Sequence, residues 1–128
     1  MTTDSEQTHW SVASLLELFD ARPDGDNRFV ADTGIAAEDE RQVVEGTQVL
    51  SQVIVAVAKR FPEKSVRAVH AVFARAVLVG PPVEFDIDVV AEGRSTATAV
   101  VSVTQNGKRT ITVTALLDGP PSTLAAAS

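Results

Sequence analysis

The sequence predicts one α+β domain, in which a long apolar helix packs against an antiparallel sheet. Three observations support this fold class. Apolar residues recur at helical spacing between Gly46 and Phe61, alternating residues fill most of the chain after residue 66, and Asn106-Gly107 is a strong hairpin signal. With 128 residues, 45% of them hydrophobic, the chain has the size of a single domain with its own core.

The main helix is predicted at about residues 46–61. Val55 and Ala56 make its middle apolar on every side, and the helical period is kept by apolar residues at positions 49, 50, 53, 54, 57 and 58. The β-branched residues would also suit a strand, but length and period favour a helix, and Lys59-Arg60 before Pro62 supplies a C-terminal stop. A helix that is apolar all round must be covered on most of its sides.

The chain before this helix is predicted to hold a short helix and a strand. We expect a flexible tail at residues 1–9, an amphipathic helix at Trp10–Phe19, a turn at residues 22–27 and a strand at residues 28–32. The polar residues 34–42 then form a loop that crosses to the main helix.

Four antiparallel strands are predicted after the helix. They are a long apolar run at residues 66–79 that Gly80-Pro-Pro ends, an alternating strand at residues 83–89, and two strands at residues 95–105 and 108–117. Residues 119–128 are expected to be a disordered tail, so that the domain covers residues 10–118. A sheet that curls around one central helix buries the helix and one face of each strand, which is the arrangement of the hotdog fold.

Composition excludes several classes of function. The net charge of -6 argues against nucleic acid as a partner, and the absence of cysteine excludes disulfides and thiolate chemistry. Two histidines far apart make a metal site improbable, so none is predicted. The sequence shows neither a signal peptide nor an apolar run long enough to cross a membrane, and we expect a cytoplasmic protein with no membrane partner.

Several short motifs follow one another along the chain. They are Leu15-Leu-Glu-Leu-Phe-Asp, Gly25-Asp-Asn-Arg-Phe, Val44-Glu-Gly-Thr-Gln-Val-Leu-Ser-Gln, Val69-His-Ala-Val-Phe-Ala-Arg, Gly93-Arg-Ser-Thr and Gln105-Asn-Gly-Lys leading to Val113-Thr-Ala. Their order and spacing resemble the N-terminal hotdog of the acyl-CoA thioesterase II family, whose members usually carry two hotdogs in tandem. The family's Phe-Gly-Gly-Gln is replaced here by Glu45–Gln48, and its Leu-Arg-Pro-Gly by residues 74–77. In tandem members the water-activating Asp, Thr and Gln belong to the second hotdog, which this sequence does not include.

The start of the main helix is the first candidate site. Free N–H groups and the helix dipole would polarise a thioester carbonyl there, and the resemblance places such an oxyanion site at Gly46 and Thr47. Glu45 is a candidate general base, and Gln48 a candidate contact to water or substrate. Helix capping or a subunit interface is the alternative role for both side chains.

Other candidates lie further along the chain. His70 matches the family's strand histidine and titrates near neutral pH, which makes it a third catalytic candidate, with a buried structural histidine as the alternative. Ser95 and Thr96 stand where the resemblance implies hydroxyl residues near the acyl pocket. Arg75 and Arg94 are the cations predicted to meet the phosphates of coenzyme A or of a carrier-protein arm, with plain surface charges as the alternative.

The resulting prediction is a thioesterase that hydrolyses acyl-CoA or acyl carrier protein. No cofactor is expected beyond the coenzyme A or phosphopantetheine of the substrate itself. A homodimer is predicted because a single hotdog normally pairs with a second copy, and a dimer of dimers stays open. One alternative is a hotdog dehydratase, hydratase or β-addition enzyme. The presence of His70 supports it, and the absence of the Asp-x-Asn-x-x-His motif argues against it. The other alternative is a non-catalytic subunit that binds acyl thioesters.

Overall fold

One helix and one antiparallel sheet make up the part of the protein that the computed structural model describes, residues 19–34 and 43–120. The helix α1 spans Gly46–Arg60, and the strands are β1 (Arg22–Pro23), β2 (Arg28–Ala31), β3 (Ser65–Phe73), β4 (Val83–Glu92), β5 (Thr96–Gln105) and β6 (Lys108–Asp118). The strand order is β1-β2-β4-β5-β6-β3, and every neighbouring pair is antiparallel. The predicted α+β class is confirmed. The predicted tail at residues 1–9 and most of the predicted first helix lie outside the described residues. So do all but residue 34 of the predicted loop at residues 34–42, and all but residues 119 and 120 of the predicted tail at residues 119–128.

The centre of the sheet is the β5–β6 hairpin. Its turn is Asn106-Gly107, in which both residues have positive φ, 53° and 76°, so the predicted hairpin is confirmed. Along both strands alternate residues point to the same face and are buried there: Ala97, Ala99, Val101 and Val103 in β5, and Ile111, Val113, Ala115 and Leu117 in β6. This inward row is the surface on which the helix packs.

One side of α1 is completely buried on that surface. Val49, Val53, Ala56 and Val57 are all 0% exposed, whereas Leu50 and Val55 on other sides of the helix are only half-buried. The helix ends at Arg60, where the N–H of Phe61 donates to the carbonyl of Val57 at 3.0 Å and Pro62 follows. The predicted C-terminal stop is confirmed to within one residue.

Two predicted boundaries were wrong. Arg22 and Pro23, predicted as part of a turn, pair with Val30 and Phe29 as the short strand β1, and only the residues between Pro23 and Arg28 turn. The second boundary concerns the apolar run at residues 66–79.

That run is a strand only as far as Phe73. The N–H groups of Ala74 and Arg75 both donate to the carbonyl oxygen of Thr110, at 2.8 and 3.1 Å, and this shared acceptor takes the chain out of the sheet. Leu78 then forms an isolated bridge with Val43, before the helix. The residues that follow β3 therefore form a loop that lies against the start of α1.

Lys59 attaches the segment before β1 to the end of the helix. Its Nζ donates to Asp20 Oδ1 at 2.6 Å and to the carbonyl of Ala21 at 2.8 Å. The hydrogen bond from Lys59 holds the pKa of the Asp20 carboxyl below its usual value. Among the described residues, no helix combines the length and apolar character of a membrane span.

Replacing Asp20 should therefore give a stability change that depends on pH. Asp20→Asn is expected to lower the free energy of unfolding near neutral pH by at most about 1 kcal/mol, since both partners are partly exposed. Because the pKa is lower in the folded state, the contribution is present above the unfolded pKa and lost as pH falls through the folded one.

Urea unfolding of both proteins near neutral pH and at about pH 3 measures this difference. It should shrink on acidification. Asp88→Asn changes an exposed carboxylate that has no ion pair within the described residues and is the matched control. A loss for Asp20→Asn that is equal at the two pH values would contradict the assignment.

Candidate active site at the start of the helix

The first turn of α1 has backbone N–H groups without a partner among the described residues. Glu45 is the N-cap residue, with extended backbone (φ -61°, ψ 136°) and no side-chain capping bond, and the first turn contains no acidic residue. Intrahelical bonding begins with the N–H groups of Gln48 and Val49, which donate to the carbonyl of Glu45 at 3.0 and 3.4 Å. The N–H groups of Gly46 and Thr47 precede these bonds, so the helix itself does not use them. The dipole adds partial positive charge at this end.

An open groove of about 290 Å³ lies beside this turn. Its wall is mainly apolar, with Arg75 at the rim, and its lining includes Gly46 and the side chains of Val44, Val49, Phe73, Val77 and Ile111. The N–H of Val44 donates to the carbonyl of Val77 at 2.8 Å, which ties the chain before the helix to the loop after β3. This tie brings Gly46 and Arg75 to the same groove, although 29 positions separate them in sequence.

Gln105 and Thr33 hold that loop in place, and the sequence analysis gave neither a role. Gln105 is 5% exposed, and its amide bonds both the N–H and the carbonyl of Leu78 and also the carbonyl of Pro81, each at 2.8 Å. Thr33, 3% exposed, donates to Pro81 and accepts from the N–H of Gly80. A polar residue at an inward position of an alternating strand was the signal that could have identified Gln105.

Gly46 makes room for a neighbouring ring and is not needed for its backbone conformation. Its φ is not in the positive range that favours glycine. A Cβ at this position would lie 2.9 Å from Cε2 and 3.1 Å from Cζ of Phe73, so the half-exposed ring would have to turn away to admit it. The glycine therefore lets the ring edge lie directly against the first turn, where the groove meets it.

The polar side chains of the first two turns divide into two groups. Gln52 is fully buried and donates from Nε2 to the carbonyl of Asp32 at 2.7 Å, and Ser51 donates to the carbonyl of Thr47 at 2.8 Å. Both bonds serve the fold. By contrast, the carboxylate of Glu45 is exposed, and the buried Nε2 of Gln48 has no hydrogen-bond partner within the described part of the chain.

His70 lies on the opposite face of the sheet. It is exposed, pairs with Thr114 across β3 and β6, and stands three positions before Phe73, whose ring contacts the helix start. Side chains an odd number of positions apart in a strand point to opposite faces. The imidazole therefore does not reach the groove of its own chain.

Arg94, Ser95 and Thr96 lie at the far end of the sheet. Thr96 pairs with Asp118, whereas the groove lies at the pair Val103 and Ile111, on the order of 20 Å away along the strand. Within one chain the structure thus brings Gly46 and Arg75 to one groove, whereas Glu45, Thr47 and Gln48 are neighbours of Gly46 in the chain that do not line it. His70, Arg94, Ser95 and Thr96 lie apart from that groove.

A sheet around one helix, with a groove at the start of that helix, defines a hotdog domain. Similar solved structures include a tesB protein of Mycobacterium avium subsp. paratuberculosis (21% identity, TM-score 0.76, covering 84% of this chain and 43% of that one). An acyl-CoA thioesterase II of Mycobacterium marinum is also similar (20% identity, TM-score 0.70, covering 87% of this chain and 40% of that one). A hypothetical thioesterase protein of Streptococcus pneumoniae, solved with coenzyme A, aligns over nearly its whole length (16% identity, TM-score 0.63, covering 91% of this chain and 98% of that one).

The particular family is shown by the sequence. The family of acyl-CoA thioesterase N-terminal domains matches residues 39–118, and the chain belongs to it. The resemblance found in the motifs is thereby confirmed. The chain spans less than half the length of the two mycobacterial chains. No curated protein matches it significantly.

Replacement by alanine should lower the free energy of unfolding much more at Gln52 than at Gln48, one helical turn before it. Gln52→Ala is expected to lower the free energy of unfolding by about 1–3 kcal/mol, because it removes the donor to the Asp32 carbonyl and leaves a cavity. Gln48→Ala serves as the matched control and should cost less than about 1 kcal/mol, since that side chain is only half-buried. Urea unfolding of both variants measures this, and equal losses would contradict the division of roles.

Proposed function

We propose that this domain hydrolyses acyl thioesters of coenzyme A at the start of α1. One observation carries the proposal. The first turn has no side-chain cap, and its Gly46 lines a mainly apolar groove. Next to Gly46 are the exposed carboxylate of Glu45 and the Nε2 of Gln48, which has no hydrogen-bond partner among the described residues. The family to which the chain belongs supports thioester chemistry.

Each part of the site has a role in the proposed reaction. The thioester carbonyl oxygen accepts from the N–H groups of Gly46 and Thr47, which stabilise the oxyanion as water attacks the carbonyl carbon. Glu45 takes the proton of that water, and Gln48 Nε2 donates to the water oxygen and holds it in place. When the tetrahedral intermediate collapses, the carbon–sulfur bond breaks and the thiolate leaves with a proton returned from Glu45. The acyl chain lies in the groove.

Cations near the groove support coenzyme A as the carrier of the acyl group. Arg75 and Ala76 also line a second groove of about 370 Å³, next to the first, which includes Lys108. Among the described residues, Arg75 and Lys108 form no salt bridge, whereas Arg28 and Lys59 do. Unpaired cations at the mouth of a thioester site suit the phosphates of the nucleotide arm. Coenzyme A then enters as part of the substrate, and no resident cofactor is needed.

The edge of the sheet supports a homodimer. Within the described residues β3 is an unpaired edge strand nine residues long, with Val72 and Phe73 more than half exposed, whereas the opposite edge β1 has only two residues. A long uncovered apolar edge is a template for pairing with another strand. Two copies that pair β3 antiparallel about a two-fold axis would continue one sheet, with both helices on the same face.

Such pairing would also bring opposite ends of the two copies' sheets to the same side of the dimer. The end that carries Arg94, Ser95 and Thr96 in the second copy would then lie on the same side as the helix start of the first. This arrangement would put those residues at the same end of the joined sheet as the groove, three strand spacings or roughly 14 Å from Phe73. His70, on the outward face, remains on the outward face in this dimer.

Hydrolysis is tested with a panel of acyl-CoAs and detection of the released thiol. Glu45→Gln is expected to lower kcat about 100-fold, as for loss of a general base, while Glu63→Gln, an exposed carboxylate after the other end of the helix, should leave kcat unchanged. His70→Gln decides the sequence-based prediction for the histidine, and a loss matching that of Glu45→Gln would overturn the mechanism. Tight binding of acyl-CoA without thiol release would instead support a non-catalytic binding subunit.

The dimer is tested by size-exclusion chromatography with light scattering. We expect a mass twice the 13.5 kDa of the chain. Ala68→Asp adds a charge to the exposed face of the edge strand, brings like charges together across the two-fold axis, and should give a monomer. Ala91→Asp, the same change at an exposed position of the internal strand β4, should leave the dimer intact. A monomeric wild-type protein would overturn the assembly.

A further inference from the structure

We infer that Phe73 is the residue that sets which acyl groups the groove accepts, and that it restricts them to short chains. The inference rests on the proposed thioester site and names the substrate class of that site. It starts from the contact between the Phe73 ring and the first turn of the helix. The outer edge of the ring lies against Gly46, with Cε2 and Cζ only 2.9 and 3.1 Å from where a Cβ would be. Any group that reaches the N–H of Gly46 from the groove must therefore pass along this ring.

Phe73 is the large apolar side chain in the lining of the groove that is free to adjust. The walls formed by Val49, Val77 and Ile111 are at most 2% exposed and belong to the core, where a change in volume is resisted by close packing. The Phe73 side chain is 53% exposed. Substitution at this position changes the width of the groove without opening the core.

The backbone of Phe73 is nevertheless held firmly. It pairs with Ile111 at the end of β3, and the next two N–H groups both bond to the carbonyl of Thr110. A fixed backbone with a half-exposed ring can change the ring's rotamer while the strand stays in place. The ring can therefore act as a movable side wall next to a rigid helix start.

The size of the groove indicates the class of acyl group. At about 290 Å³ it stands at the lower limit of the range for small-molecule pockets, about 300–1,000 Å³. Its lining is mainly apolar, and Arg75 is its one charged residue within the described part of the chain. A space of this size and character suits a short aliphatic chain, and the ring of Phe73 blocks the extension that a longer chain would need.

The test compares wild type, Phe73→Ala and Phe73→Trp on straight-chain acyl-CoAs from acetyl to decanoyl. In wild type, kcat/KM should fall as the chain lengthens. Phe73→Ala should raise the ratio of kcat/KM for decanoyl-CoA to that for acetyl-CoA at least about tenfold, and Phe73→Trp should lower it. Leu116→Ala, a large exposed apolar residue on β6, is the matched control and should leave the ratio unchanged. An unchanged ratio in Phe73→Ala would overturn the inference.

Binding separates this inference from the proposed reaction. Calorimetric titration of the same acyl-CoAs measures the chain-length preference without turnover. Wild-type protein that binds acyl-CoA but releases no thiol would refute hydrolysis, and the binding ratio between Phe73→Ala and wild type would still decide the role of the ring. Failure of every acyl-CoA to bind would overturn both.

The ring contact itself is tested by a double-mutant cycle. Gly46→Ala places a methyl group against the ring, which must turn away to admit it, and should lower Tm by at most about 4 °C. In the Phe73→Ala background the same change should cost much less, because its clash partner is gone. Equal losses of Tm in the two backgrounds would show that the ring does not lie against the helix start.

Discussion

The burial of one side of α1 on the inward row of the sheet is the interaction on which the rest of the structure depends. Val49, Val53 and Val57 lie fully buried at helical spacing, against strands whose buried residues alternate with period two. This contact fixes the position of the helix along the sheet. It therefore also fixes the position of the first turn, which lies at the end of the sheet near Ile111. The first N–H groups of this turn have no partner among the described residues.

A groove forms there because β3 ends before the sheet does. The carbonyl of Thr110 accepts two successive N–H groups and turns the chain out of the ladder. The loop that follows would carry unpaired backbone groups, and the buried side chains of Gln105 and Thr33 satisfy several of them. Two polar residues in the core thus hold Val77 and Arg75 at the rim of a site to which neither polar residue contributes chemistry.

The sequence could predict what depends on local pattern. The helix period, the alternation of β4 to β6 and the Asn106-Gly107 turn are each carried by neighbouring residues, and all were found where expected. The early end of β3 depends on a carbonyl 36 positions away from Ala74, which no local pattern reveals. For the candidate site, the sequence pointed equally to Arg75 and Arg94, and only the fold shows that Arg75 lies at the groove beside the helix start. Strand parity, already readable from the odd spacing of His70 and Phe73, places the histidine on the outward face.

The two proposals meet at the end of β3. Phe73 is the last residue of the open edge and also a wall of the groove, so a second copy paired along that edge would lie beside the ring. Association would then narrow the space into which the ring can turn, and the width available to the acyl chain would depend on the dimer as well as on the side chain. In these two proposals one element, the edge strand β3, would determine both dimer assembly and acyl-chain specificity. For the same reason, the role of Gly46 in the site depends on the Phe73 ring that lies against it.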